Sequence, residues 1–306
     1  DRRIPVTDAA TIVAAMQADI DRFGSEMGAR TTRIARRALA DLTADLDKRS
    51  LGSWGIAARV SAIAQVRRGM ELLAERQGAV LTGQVPKIAG RSQQRMIALL
   101  ENLDRRFVGS VQPLRFDTAA WLESNTRRLS RIRLEVYPRS FARYGAEAVT
   151  EIEDALARLA LTGKPWTEAR GQVHRAIRGV VGDRQWMVDR LLRTETSAIF
   201  NGTALDAMIA EDRPESPMLK RLVATFDKVT GRDSVYVHGQ IRPVREPFSD
   251  GRRLYMAPPN RPHDRELVVP HRAAWGSALP RLTRPPPDPE ETSAPDLPAA
   301  RPGPTR

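Results

Sequence analysis

The sequence predicts a mainly α-helical protein of long amphipathic helices, followed by a small α+β module near the C-terminus and a disordered, proline-rich tail. Three observations carry this. Apolar residues recur at intervals of three and four from residue 8 to about 161, the spacing that lines one face of a helix. Aromatic residues supply only 5% of the chain while hydrophobic residues supply 41%, which suits packing through Ala, Leu, Ile and Val rather than an aromatic-rich β-sandwich. Nine prolines fall between Pro280 and Arg306 among balanced charges, leaving too little apolar surface to fold.

In chain order, the first stripe is Ala35, Leu39, Leu42 and Leu46, the second Ile56, Val60, Ile63, Met70 and Leu73, the third Met96, Leu99, Leu103 and Phe107. The clearest is Leu122, Asn125, Leu129, Ile132 and Val136, with Arg127, Arg128, Arg131 and Arg133 on the other faces. Asp117 or Thr118 can cap its start, because a short oxygen-bearing side chain accepts from the free amides of a first turn. Pro138 is expected to end it by removing a donor and restricting Tyr137. Gly52, Gly55, Gly78, Gly83, Pro86, Gly90, Gly109 and Pro113 read as turns between helices. Another helix is expected over 139–161, stopped at Thr162-Gly163-Lys164-Pro165, and a further one after Trp166.

The character changes after Pro214 and Pro217. Arg221–Val229 and Ser234–His238 alternate around Thr230–Asp233, predicting a β-hairpin, and 253–256 and 266–269 are also β-like. Together these features divide the chain into a helical N-terminal region (1–137), a second helical region (138–212), a β-containing module (213–275) and the extended tail (276–306).

Composition narrows the chemistry. The absence of cysteine excludes disulfides, thiolate metal sites and thiol nucleophiles. No apolar run is long enough to span a bilayer, and Asp1–Pro5 lacks the apolar stretch of a secretory signal, so a soluble chain with no membrane partner is expected. The net charge is +12, and of 49 basic side chains all but Lys48, Lys87, Lys164, Lys220 and Lys228 are arginine. Arginine forks pair bidentately with phosphates and carboxylates, which suits polyanion contacts or subunit interfaces, although a GC-rich genome gives the same skew.

No constellation specifies a catalyst. Of His174, His238, His263 and His271, no two sit at i, i+4 beside a glutamate, and neither a metal nor a cofactor is expected. Thr162-Gly163-Lys164 is followed by Pro165 where a phosphate loop needs Ser or Thr. Arg193 and Glu195, two apart on one helix, point to different sides and read as an ion-pair clasp.

The run Leu161-Thr162-Gly163-Lys164, then Thr167-Glu168, a helix, and Leu192-Arg193-Thr194-Glu195-Thr196 with Asn201 and Ala204 resembles the core of the phage head morphogenesis family, the Mu F-like minor capsid proteins. Phe226-Asp227-Lys228-Val229-Thr230, His238-Gly239 and Pro258-Pro259-Asn260-Arg261-Pro262-His263-Asp264-Arg265 follow in the family's order. The resemblance spans roughly residues 150–272. Many relatives carry cysteine pairs in the Asp-x-x-Thr segment and beside the final Arg, a pattern that suggests metal ligation. Asp264 and Glu266 stand at the latter positions here.

The resemblance implies a virion component without catalytic residues, acting in head assembly of a tailed phage or gene transfer agent. Its expected partners are the portal protein, the major capsid protein and packaged double-stranded DNA, its location the virion head. Arg193, Glu195, Asn201, Asp227, His263 and Arg265 are the expected structural network, and Arg252, Arg253, Arg261 and Arg265 the expected polyanion contacts. Two rivals are a DNA-binding protein acting outside a particle and an ADP-ribosyltransferase. The only Glu-x-Glu such an enzyme could use, Glu151-Ile152-Glu153, lies in a helical context.

Overall fold

A computed structural model describes residues 9–48, 56–160, 166–225, 232–262 and 264–275. The protein is mainly helical, with a small strand region toward its C-terminus. Four long helices come first: α1 (Ala9–Asp47), α2 (Ile56–Phe107), α3 (Thr118–Ala160) and α4 (Trp166–Ala210). They are followed by β1 (Leu219–Ala224), α5 (Arg232–Val237), β2 (Ile241–Pro243), β3 (Phe248–Ser249), β4 (Leu254–Tyr255) and β5 (Glu266–His271), then a 3-10 turn at Ala273–Trp275.

The helices are fewer and longer than the turn residues predict. α3 runs through Pro138, so residues 122–136 and 139–160 belong to one helix and the expected boundary at 137/138 falls inside it. Gly78, Gly83, Pro86 and Gly90, expected in turns, all lie within α2. Isolated breakers give way because a long helix loses one hydrogen bond at a proline and about 1 kcal/mol at a glycine, while every flanking turn buries an apolar stripe. Pro86 is exposed, so water can reach the backbone it disturbs. Two glycines also serve packing: a Cβ on Gly78 would lie 3.6 Å from the Phe141 ring, and one on Gly90 would lie 3.6 Å from Leu122 Cδ2. The ends follow ordinary rules. Asp117 Oδ1 accepts from the Ala120 amide at 2.7 Å, making Asp117 the cap of α3. Gly109, at φ +79°, closes α2 by donating to the Asp104 carbonyl.

The chain packs as two compact units, each drawing on all four long helices. The helical unit comprises Arg22–Lys87 and Ser124–Arg193. Its core takes Ala35, Leu42 and Leu46 from α1, Val66, Met70 and Leu73 from α2, Ala148, Ile152 and Leu156 from α3, and Val173, Ile177 and Val181 from α4. Each fully buried aliphatic side chain contributes about 1.5–3 kcal/mol of hydrophobic stabilisation. At Gly69 the missing side chain matters for packing, since a Cβ there would sit 3.3 Å from Leu42 Cδ1, tighter than ordinary contact.

The mixed unit comprises Asp1–Asp21, Ile88–Glu123 and Thr194–Arg306. Its helical part buries Met16, Met96, Leu99, Phe200 and Met208. Its three-stranded antiparallel sheet has the order β2-β1-β5, with Leu222 opposite Val268 and Lys220 opposite Pro270. The second arm of the predicted hairpin is not a strand, and residues 226–231 of its first arm and turn lie outside the described residues. β1 pairs with β2 and β5, and Ser234–Val237 lies in α5 rather than in a strand. The burial of Ser234 and Val237, three apart with exposed Tyr236 between them, is the helical period underlying an apparent alternation. The expected β pieces at 253–256 and 266–269 appear as β4 and β5.

Candidate functional site

Of the residues singled out in the mixed unit, Asn201 lies where α4 meets β5. Asn201 is fully buried, and Ser197, one turn earlier on the same face of α4, is almost so. Asn201 Nδ2 donates to the Glu266 carbonyl at 3.1 Å and to Ser197 Oγ at 3.2 Å, while its Oδ1 accepts from the Val268 amide at 2.9 Å. β5 is an edge strand, and this amide supplies the donor and acceptor that a further strand would have offered. Ser92 Oγ, from α2, donates to the Phe200 carbonyl at 2.6 Å one residue earlier.

Beyond the clasp lies a pair of buried carboxylates. Glu266 opens β5, and Asp264 precedes it by two residues on a segment also held by Asp264 Oδ2 accepting from the Asn260 amide at 3.0 Å. Burial, followed by the charge of Asp264, pushes the Glu266 carboxyl up to about 8. Burial also raises Asp264. Glu266 therefore holds a proton at neutral pH. Tyr255 donates its hydroxyl to Glu266 Oε2 at 3.4 Å, and burial holds that phenol protonated far above its ordinary range. Arg261 Nη2 donates to Ser234 Oγ at 2.5 Å and its charge favours the ionised form of both carboxyls.

A second buried ionisable group lies in the same sheet. Lys220 is fully buried on β1, donates to the Met256 carbonyl at 2.7 Å, and stands 4.7 Å from the centroid of the Phe248 ring. Burial pulls its ammonium down to about 8. This lysine ties β1 to the chain just before the cis Pro258-Pro259 bond. His238 accepts the Ala224 amide on Nδ1 at 3.0 Å and so joins the end of α5 to β1.

The sequence-selected residues divide three ways. Asn201 occupies the centre of the clasp. Asp227 and His263 lie outside the described residues. Arg193 is exposed and Glu195 half-buried, and the division between the two units falls between Arg193 and Thr194, so each belongs to a different unit. Of the four expected polyanion contacts, Arg252 and Arg253 are exposed on the β3–β4 turn, where Asp250 Oδ1 accepts both their amides at 2.8 and 2.6 Å and Gly251 takes φ +83°. Arg253 also donates to the Asn260 carbonyl at 2.9 Å. Arg261 is engaged with Ser234 as above, and Arg265 pairs with Asp21 at 3.0 Å. In the helical unit, Glu153 pairs with Arg67 at 2.7 Å, and Glu151 and Glu147 both pair with Arg184.

Sequence reasoning missed Lys220, Ser234 and Tyr255. Lys220 had a readable signal: it shares strand parity with Leu222 and Ala224, which face inward. Ser234 and Tyr255 had none, because only the fold brings them to Glu266. Among the described residues no group of three or more His, Asp or Glu side chains is arranged to hold a metal ion. No helix among them is long and apolar enough to cross a membrane. Compared with protein-family models, curated proteins and solved structures, the chain matches none.

Proposed function

We propose that the chain is a minor capsid protein acting in head morphogenesis of a tailed phage or gene transfer agent, resident in the virion head. In this reading it binds portal and major capsid subunits through its helical surfaces and neutralises phosphates of packaged DNA with exposed arginines. It performs no reaction. The observation that carries the reading is the Asn201 clasp: the helix bearing Arg-Thr-Glu and the strand after the Pro-Pro-x-x-Pro-His-x-x-Arg loop, two segments that resemble the head morphogenesis core, are joined by two hydrogen bonds of a single amide. The paired turn arginines Arg252 and Arg253 and the +12 charge support contact with polyanions.

Quantitative mass spectrometry of purified particles tests the reading. The expected result is this chain in a few copies per particle, co-purifying with the portal. Its absence from particles, together with tight and steeply salt-dependent DNA binding by the isolated chain, would favour the DNA-binding alternative. An ADP-ribosyltransferase would transfer label from nicotinamide dinucleotide to a protein acceptor, and no transfer is expected.

A further inference from the structure

The helical unit carries an open trough of ≈ 890 Å³ between α2 and α3. Its lining follows helical spacing on both walls. Ala74, Gly78 and Ala79 of α2 and Ala142, Gly145 and Ala146 of α3 all line it, so its depth comes from the absence of side chains along two adjacent stripes. From Arg67 to Gly83 the α2 wall is about 24 Å long at 1.5 Å per residue. The rim is acidic. Glu71 and Glu75 stand exposed along α2, and Glu153 on α3 is already neutralised by Arg67 at 2.7 Å. A net positive chain therefore presents a small-residue trough edged by carboxylates.

We propose that this trough is a docking site for a basic amphipathic helix of another protein, with bulky aliphatic side chains seated on the Gly/Ala floor and Lys or Arg side chains meeting Glu71 and Glu75. The walls are helices with their backbone groups already paired, so they offer no edge to an added strand. Among the described residues the lining contains no aromatic ring, the usual platform for a polyproline segment, which argues against residues 276–306 as the occupant. A second copy of this chain is also a poor fit. Among the described residues its exposed large hydrophobics, such as Val60, Leu72, Trp186 and Leu254, do not form an i, i+3, i+4, i+7 set on any helix. The inference stands whether or not the chain belongs to a particle.

The test uses the full chain and two labelled synthetic helices of about 20 residues with the same leucine face, one flanked by lysines and the other by glutamates. Fluorescence anisotropy is expected to show that the lysine peptide binds and the glutamate peptide does not, against the sign of the chain's overall field. Ala146→Phe, at an exposed trough position, is expected to weaken binding at least about ten-fold by filling the space. Glu71→Lys with Glu75→Lys is expected to reverse the preference between peptides. Circular dichroism checks that each variant folds, and Ala79→Phe on the opposite wall replaces Ala146→Phe should that variant misfold. Equal binding of both peptides, or unaltered binding to the filled variants, overturns the proposal. So does displacement of the lysine peptide by a 276–306 peptide, or a concentration-dependent dimer in sedimentation that Ala146→Phe abolishes, since each names a different occupant.

Discussion

The two units are held by different forces. In the helical unit the interior is aliphatic, and among the described residues its buried polar groups are the neutral Thr31, Gln77 and Asn125. Every buried charged side chain among the described residues lies in the mixed unit: Asp19, Asp104, Glu211, Lys220, Asp264, Glu266 and Arg272. Several have matching partners. Asp19 accepts from Arg95 at 2.8 Å and is ion-paired with Arg91 at 3.0 Å, Asp104 accepts from the Trp275 indole at 3.2 Å, and Glu211 from the Arg115 amide at 2.5 Å and from Arg213 at 3.1 Å. An apolar interior fixes volume and tolerates exchange of like for like, whereas a buried polar network admits one arrangement, because each orphaned group costs about 1–3 kcal/mol.

That contrast can be broken most sharply at Asn201. Asn201→Leu orphans the Glu266 carbonyl and the Val268 amide at once and is expected to lower unfolding stability by about 4 kcal/mol, read by urea denaturation, with hydrogen exchange at the Val268 amide accelerated most. In the helical unit, Ile152→Ala is expected to cost about 3 kcal/mol by leaving a cavity, while Ile152→Val costs about 1 kcal/mol. A milder penalty for Asn201→Leu than for Ile152→Ala would contradict the contrast.

Protons distinguish the units more finely. The folded Glu266 carboxyl is raised from an ordinary 4.5 to about 8, so its contribution to stability is complete below about 4.5 and is lost as pH rises toward 8. Lys220, lowered from 10.5 to about 8, has the opposite sign: its contribution is complete above about 10.5 and is lost as pH falls to 8. Mixed-unit stability, followed through the buried Trp275 indole, is expected to decline between pH 4.5 and 8 and recover above it. Glu266→Gln should flatten the acid-side slope, and Lys220→Met the alkaline one. The smallest effect is expected on the helical surface, where Arg67→Gln removes the exposed pair with Glu153 and should leave the thermal midpoint within measurement error.

The helical periodicity of residues 9–160 was legible because the described stripe residues, exposed Val60 excepted, lie buried or half-buried on one face, and the cap at Asp117 was legible from its chemistry alone. Breakers misled the reading of Pro138, Gly78 and Gly90, since neither the packing that outweighs a glycine nor the glycine's role as a packing surface is local information. Ser234–His238 misled for a related reason: over five residues, periods of two and of 3.6 share enough buried positions to be confused. At the site, Asn201 and Arg265 were found through motif order, whereas the partnership of Ser234, Tyr255, Asp264 and Glu266 spans loops whose path no sequence spacing encodes.

The amide that finishes β5 has a consequence for solubility. A terminal strand with idle donors and acceptors is a template on which unfolded neighbours can stack, and chains that crowd together during assembly meet such templates often. By plugging that template with a side chain from its own α4, the protein closes the β5 edge of its sheet. The same asparagine that fastens the fold thus also occupies the edge of β5 that would otherwise serve as that template.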